Sequence, residues 1–194
     1  LELTAYHPAG ILGSALGYAI SSRGGDYNNV YSSLEHRWTA RKGADAFGSA
    51  EAVDVKRPSG KGRLLRRAVL VNIVVDSLGL CKEPTLSLQA TFDLENEAVL
   101  ASSITGMSQY ADEHFHIGDR IAAMERLFNL KHAPDLDEDR LPEMFFLDGD
   151  TVLTQTVMTQ MLLEFYAAMG WDEKGCPLKE TLAALSIEPV VSTS

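Results

Sequence analysis

The chain has 194 residues, with 17 lysines and arginines against 27 aspartates and glutamates, and a formal net charge of −10. This charge disfavours nucleic-acid phosphates and anionic membrane surfaces as partners, and no uncharged apolar stretch reaches the roughly 18–20 residues of a membrane span. Two cysteines are too few for a secreted disulfide scaffold, and the first ten residues show no signal-peptide pattern. These features predict a soluble cytoplasmic protein.

The first predicted helix contains two glycines and runs into a glycine-rich loop. Apolar residues lie at helical spacing within residues 10–22, namely Leu12, Ala15, Leu16 and Ala19. Glycine costs a helix interior about 1 kcal/mol, so we expect Gly13 and Gly17 to let another backbone or a ligand approach closely. The loop that follows, Arg23-Gly24-Gly25-Asp26, could be a surface turn or could reach a cofactor.

The next stretch predicts a short helix followed by a long loop. One helical face is apolar and the opposite one is polar and expected to be solvated, with Val30, Leu34 and Trp38 on the first and Glu35, His36 and Arg37 on the second. From residue 39 to residue 61 the sequence becomes polar and glycine-rich. This composition predicts an ordered loop with one helical turn around residues 48–54.

The most apolar stretch of the chain, residues 64–81, predicts a buried helix of about four turns. Gly79 is placed to end this helix, and Pro84 prevents it from resuming. Asp76 falls in the last turn, where the helix dipole disfavours an anion by roughly 0.3–1 kcal/mol. Asp76 and Cys81 could therefore bind a polar ligand together. Alternatively, Asp76 caps a neighbouring helix and Cys81 is a small core residue.

The second half of the sequence predicts further helices separated by polar turns. The first covers residues 93–106, with Leu94, Ala98, Ala101 and Ile104 buried, and a short helix follows from Ser108. The others cover residues 118–130, residues 151–169 with Asp150 as the cap, and residues 177–185 with Pro177 in the first position. His114 and His116, two residues apart, face different ways on a helix, which favours two separate residues over a metal pair. Strand alternation is nearly absent, so we predict an all-α, multihelical fold. The pattern permits two subdomains, of about residues 1–92 and 93–194.

Several motifs resemble, in the same order, those of the tungsten-dependent aldehyde ferredoxin oxidoreductase family. Asp76-Ser77-Leu78-Gly79-Leu80-Cys81 resembles its DxxGLC motif, and Arg23-Gly24-Gly25-Asp26 resembles its RGxD/C loop. Residues 118–129 resemble its G-x-R-I-x-x-x-E-R-x-F-N helix, residues 139–142 its D-x-L-P turn, and residues 170–182 its GWD-x-x-G-x-P-x-x-x-x-L closure. The similarity spans nearly the whole chain.

This resemblance implies the helical C-terminal domains of a larger enzyme, whose N-terminal β-rich domain holds a tungsten (or molybdenum) bis-pyranopterin. By the same resemblance, Asp76 would hydrogen-bond the pterin, Cys81 would be the fourth thiolate of a [4Fe–4S] cluster, and Arg23, Asp26 and Leu80 would lie at the cofactors. The other cluster cysteines, spaced CxxCxxxC, and a companion DxxGxD motif are not in this sequence. Both cofactors are therefore expected only in the complete enzyme, and the chain alone is expected to be inactive.

The candidate catalytic residue is Tyr27, which stands where many family members have histidine after the RGxD/C loop. A phenol, with a pKa of about 10, acts mainly as a donor, so Tyr27 would orient a substrate carbonyl or donate a proton. His36 is an alternative.

The function that the resemblance implies is anaerobic oxidoreduction of a small aldehyde or related carbonyl or carboxyl substrate, with ferredoxin or another electron carrier. The resemblance is also compatible with a homodimeric enzyme. The competing hypothesis is a non-catalytic helical module that assembles with a separate cofactor-binding part.

Overall fold

The computed structural model describes residues 7–133, 139–147 and 152–188, and the helical prediction is confirmed there. The α-helices of these ranges are α1 (Leu12–Ile20), α2 (Leu34–Arg37), α3 (Ala40–Phe47), α4 (Lys61–Ser77), α5 (Glu95–Thr105), α6 (Ala111–His132), α7 (Gln155–Met169) and α8 (Lys179–Ala184). Short 3-10 helices cover Pro8–Gly10, Tyr27–Asn29, Ala50–Val53 and Glu143–Phe146, and a π-helical segment covers Glu83–Gln89. An isolated antiparallel bridge joins Trp171 to Pro177.

Helix α4 is the centre of the fold, and α1, α6 and α7 pack around it. Residues 68–75 are all buried, as the sequence predicts. Burial on every side outweighs the weak helix propensity of its β-branched residues. Gly62 allows the closest contact, because a Cβ at this position would lie only 2.2 Å from the backbone nitrogen of Phe165 in α7.

The end of α4 has the predicted form. Gly79 adopts a left-handed conformation with φ +68°, and the Leu80 N–H donates to the Val75 carbonyl at 3.0 Å. Leu80 then packs against the core. This is the glycine-terminated geometry that satisfies the last helical carbonyls, and it leaves Asp76 exposed in the final turn.

The two glycines of α1 make room for side chains rather than for another backbone or a ligand. A Cβ on Gly13 would lie 2.2 Å from Oε2 of Glu35, and a Cβ on Gly17 would lie 2.8 Å from Cγ2 of Val30. The helix itself is confirmed, and its buried face is the predicted one.

The prediction that Glu35 is solvated is wrong. Its side chain is completely buried and forms an ion pair with the equally buried Lys61. One Glu35 oxygen also accepts the Gly13 N–H at 3.0 Å, while the Lys61 ammonium donates to the carbonyls of Ala52 and Asp54 at 2.6 and 2.8 Å. Helix α2 is only four residues long, and a single turn is too short to define one buried and one solvated face. Burial raises the pKa of Glu35 and lowers that of Lys61.

Helix α3 lies inside the stretch that the sequence predicted to be a loop. Thr39 caps it by accepting the Lys42 N–H at 3.3 Å, and Gly48 ends it with φ +69°. The single helical turn predicted around residues 48–54 is present as Ala50–Val53.

In the second half of the chain, α5 ends at Gly106 as predicted, but Ile104 is 75% exposed instead of buried. Residues 103–108 are all exposed, so the end of α5 protrudes from the fold. The two helices predicted from residue 108 to residue 130 are one helix, α6, and Gly118 in its middle passes close to the Leu70 carbonyl of α4. His114 is buried and His116 is exposed.

The last two helices begin later than predicted. Thr154 caps α7 by accepting the Val157 N–H at 3.2 Å, whereas the predicted cap Asp150 and first residue Thr151 lie outside the described residues. Helix α8 starts two residues after Pro177. No helix among the described residues is long and apolar enough to cross a bilayer.

Candidate functional site

The candidate site lies where the end of α4 meets the segment of residues 22–29, here called the Tyr27 loop. The Asp76 carboxylate joins them, because Arg23 Nη2 lies 3.3 Å and Lys82 Nζ 2.9 Å from the same oxygen, Oδ2. The Asp76 side chain is 41% exposed. Asp76 therefore does not cap a neighbouring helix, and its charge in the last turn of α4 is compensated by two cations.

The Tyr27 loop is held together by its own polar side chains. Arg23 donates to Asn29 Oδ1 at 2.9 Å and lies 3.7 Å from Asp26 Oδ2. Asp26 accepts the Asn28 N–H at 3.0 Å and so starts the 3-10 turn that carries Tyr27. The structure thus brings Arg23, Asp26 and Asp76, all identified from the sequence, into one network.

Lys82 is the site residue that the sequence reasoning missed. Its side chain is 20% exposed, and its ammonium donates to the Asn28 carbonyl as well as pairing with Asp76. A signal was present, because a cation just beyond a helix whose last turn carries an unfavourable aspartate is well placed to compensate it.

Tyr27 faces a cavity of about 380 Å³ beside this network. The half-buried ring of Tyr27 meets the ring of Tyr31 edge to face at a centroid distance of 6.0 Å. Arg37, Lys82 and Glu83 supply charged groups to the cavity wall. The alternative residue His36 does not line this cavity. Partial burial of the imidazole and the nearby charge of Arg37 lower the pKa of His36.

Cys81 is an exposed free thiol and not a core residue. With Leu80 it lines a separate shallow cavity of about 220 Å³. This cavity shares no wall residue with the one at Tyr27. The structure therefore does not place Tyr27 and Cys81 in one cavity, although Lys82, next to Cys81 in the chain, lines the Tyr27 side.

The three remaining sequence motifs meet elsewhere and stabilise the fold. Arg126 of α6 pairs with Asp139 at 2.8 Å and donates to the Gly175 carbonyl at 2.8 Å. The Tyr166 hydroxyl donates to Asp139 at 2.5 Å, and burial and this carboxylate raise the pKa of Tyr166. Since both Arg126 and Asp139 are largely buried, this cluster ties α6, the 139–142 turn and the 170–182 segment together.

The residues present fit the implied cofactors only in part. Asp76 Oδ1 has no hydrogen-bond partner among the described residues, so the carboxylate keeps one oxygen for an N–H donor of a pterin. Cys81 could give one thiolate. However, no group of three or more histidine, cysteine, aspartate or glutamate side chains that could hold a metal occurs in the described part of the chain, so a cluster would need other ligands from elsewhere.

Two kinds of sequence comparison identify related proteins. A family model for aldehyde ferredoxin oxidoreductase, domains 2 and 3, matches residues 1–187. The chain is 32% identical to the tungsten-containing aldehyde ferredoxin oxidoreductase of Pyrococcus furiosus and 31% identical to that of Pyrococcus horikoshii. Both alignments cover 96% of this chain and 30% of the relative, so the chain spans about a third of the length of these relatives.

Among solved structures, the fold is similar to the active site complex BamBC of benzoyl coenzyme A reductase in complex with 1,5-dienoyl-CoA. The TM-score is 0.65 at 14% identity, over 96% of this chain and 31% of the other. At this identity the likeness is one of fold alone. The match of the family model over nearly all of the sequence carries the assignment, and the chain belongs to the aldehyde ferredoxin oxidoreductase family.

Proposed function

We propose that the chain forms the helical C-terminal part of a tungsten-containing oxidoreductase that acts on a small aldehyde or a related carbonyl or carboxyl compound. The observation that carries the proposal is the family match over residues 1–187. The chain spans 30% of its tungsten-containing relatives, so the complete enzyme would need a further cofactor-binding part. Residues 1–92 and 93–194 remain our proposed subdomains.

The residues at the end of α4 would hold the cofactors from this side. A tungsten or molybdenum bis-pyranopterin supplies two-electron redox chemistry, and a [4Fe–4S] cluster passes single electrons on to ferredoxin or another carrier. Asp76 would accept a pterin N–H through Oδ1, Cys81 would give one cluster thiolate, and Leu80 would cover the cofactors. Arg23 and Asp26 would keep the Tyr27 loop in place.

Tyr27 is the proposed proton donor. Tyr27 lines the cavity next to the Asp76 network, where the phenolic O–H would donate to a substrate carbonyl oxygen and so orient it. The charged groups on the cavity wall would favour a polar substrate group on this side.

The test is anoxic purification of the complete enzyme, with measurement of tungsten and iron and of aldehyde-dependent reduction of ferredoxin. We expect both metals and turnover, loss of iron in Cys81→Ser, and loss of tungsten in Asp76→Ala. A complete protein that binds neither metal would contradict the proposal. It would support the competing function of a helical module without catalysis.

A further inference from the structure

We propose that Lys82 is a positioning residue, which holds the Tyr27 loop against Asp76. The carboxylate expected to meet the pterin would then also set the position of the expected proton donor. The catalytic half of this inference rests on the proposed function. The positioning half depends only on contacts within this chain.

The Tyr27 loop is attached to the end of α4 at two points. At one end, Arg23 Nη2 contacts both Asn29 Oδ1 and Asp76 Oδ2, at 2.9 and 3.3 Å. At the other, Lys82 Nζ donates to the Asn28 carbonyl and lies 2.9 Å from the same Asp76 oxygen. One carboxylate oxygen therefore anchors both attachments.

Lys82 is the more enclosed of the two cations. Its side chain is 20% exposed, compared with 51% for Arg23. Isolated surface ion pairs contribute little, but partly buried pairs within a network contribute more. Lys82 is also the only donor to the Asn28 carbonyl among the described contacts, so replacing Lys82 leaves this carbonyl without a protein partner.

Tyr27 precedes Asn28 in a turn whose residues are hydrogen-bonded to one another. Asp26 accepts the Asn28 N–H through its side chain and the Asn29 N–H through its carbonyl, at 3.0 and 3.4 Å. The Tyr27 carbonyl accepts the Val30 N–H at 3.1 Å. Since these three bonds fix residues 26–30 relative to one another, releasing the Asn28 carbonyl changes the position of the Tyr27 ring in its cavity.

The network is electrically balanced. Asp26 and Asp76 carry two negative charges, and Arg23 and Lys82 carry two positive charges. Loss of Lys82 leaves one uncompensated carboxylate, and Arg23 alone must then serve both. We therefore expect Lys82→Met to loosen the whole Tyr27 loop and not only its nearest residue.

The first test is amide hydrogen exchange of the 194-residue chain, which needs no cofactor. In Lys82→Met, the Asn28, Asn29 and Val30 amides should exchange about fivefold faster, as expected for loss of one network contact. Lys82→Arg should restore most of the protection. The matched control is Arg41→Met, because Arg41 pairs with the exposed Asp45 on α3, and it should leave these amides unchanged. Equal exchange in Lys82→Met and in the unmodified chain would overturn the proposal.

The second test is a double-mutant cycle in the complete, metal-loaded enzyme. If Lys82 acts through Tyr27, Lys82→Met lowers kcat in the unmodified enzyme but has little further effect when Tyr27 is already phenylalanine. Additive losses would overturn the catalytic half of the inference even if exchange is faster. An unmodified enzyme that binds metal but turns over no aldehyde contradicts the proposed function instead, and exchange then decides the positioning role alone.

Discussion

The hydroxyl of Tyr27 is the single group on which the proposed proton transfer depends. In the metal-loaded complete enzyme, Tyr27→Phe should lower turnover by about 100-fold, because the variant lacks the proton-donating hydroxyl. Steady-state kinetics measures the loss. Metal content equal to that of the unmodified enzyme is the control, and unchanged turnover would contradict the proton-donor role.

The buried pair of Glu35 and Lys61 is a residue-scale feature of stability rather than of the site. Both side chains are 0% exposed. Lys61→Met would leave the Glu35 carboxylate buried without its counter-charge, so we expect the free energy of unfolding to fall by about 3–5 kcal/mol. Urea denaturation measures the loss. Arg41→Met, which breaks an exposed pair, should change the free energy of unfolding by less than about 1 kcal/mol, and similar losses in the two variants would contradict the prediction.

The two cysteines should differ in reactivity. Cys81 is exposed, whereas Cys176 is partly buried and its pKa is raised by burial and by Asp172. Thiolate is the reactive form, so a raised pKa slows alkylation at neutral pH and lets the rate climb as the pH approaches that pKa. In the 194-residue chain, iodoacetamide should modify Cys81 first, as read by peptide mass spectrometry. Earlier modification of Cys176 would contradict this order.

At the scale of elements, the close packing of α4 on α7 depends on Gly62. A Cβ there would meet the Phe165 nitrogen at 2.2 Å and the Glu164 carbonyl carbon at 2.4 Å, and backbone atoms cannot move aside cheaply. We expect Gly62→Ala to destabilise the protein by about 3 kcal/mol in urea denaturation. Gly106→Ala is the control, since φ is +71° and an added Cβ would have no neighbour within 4 Å among the described residues. Its cost should be about 1 kcal/mol of left-handed backbone strain. Equal costs would show that the helices can separate.

The elements that the sequence predicted well are those specified by local chemistry. An unbroken apolar run and a glycine in the left-handed region define α4 and its end. Helix α3 was missed because it is only eight residues long, contains Gly43 and lies in a polar, glycine-rich stretch of the sequence. The sequence predicts two helices in place of α6 because Gly118 looks like a helix breaker. In the structure, a glycine at this position lets α6 pass close to the Leu70 carbonyl of α4.

The residues of the candidate site also fall into those that local sequence motifs predict and those that they do not. Arg23, Asp26, Asp76 and Cys81 were found because they lie in short motifs. The pairing of Lys82 with Asp76 had a signal in the sequence, but its hydrogen bond to the backbone carbonyl of Asn28, 54 residues away in the chain, had none. The burial of Glu35 was not predicted for a similar reason, since Lys61, whose charge compensates the buried carboxylate, lies in α4, distant in the sequence.

At the scale of the whole molecule, apolar side chains remain exposed on the part of the chain that follows Cys81. Leu88, Val99 and Ile104 are 73, 65 and 75% exposed, and Leu78 beside Asp76 is 37% exposed. Exposed apolar surface of this kind suits an interface. Since the chain spans 30% of the relatives, we expect the cofactor-binding part of the complete enzyme to cover the surface at Asp76, Leu78 and Cys81.

Metal content tests this view of the whole molecule. A [4Fe–4S] cluster takes four thiolates, and the only cysteine at the candidate site is Cys81. We therefore expect the anoxically purified 194-residue chain to contain neither iron nor tungsten by elemental analysis, while the complete enzyme holds about four irons per chain. Cys81→Ser in the complete enzyme tests whether the Cys81 thiolate is an iron ligand, and it should lower the iron content. About four irons bound through Cys81 in the 194-residue chain would show that a cluster can form here without ligands from the cofactor-binding part.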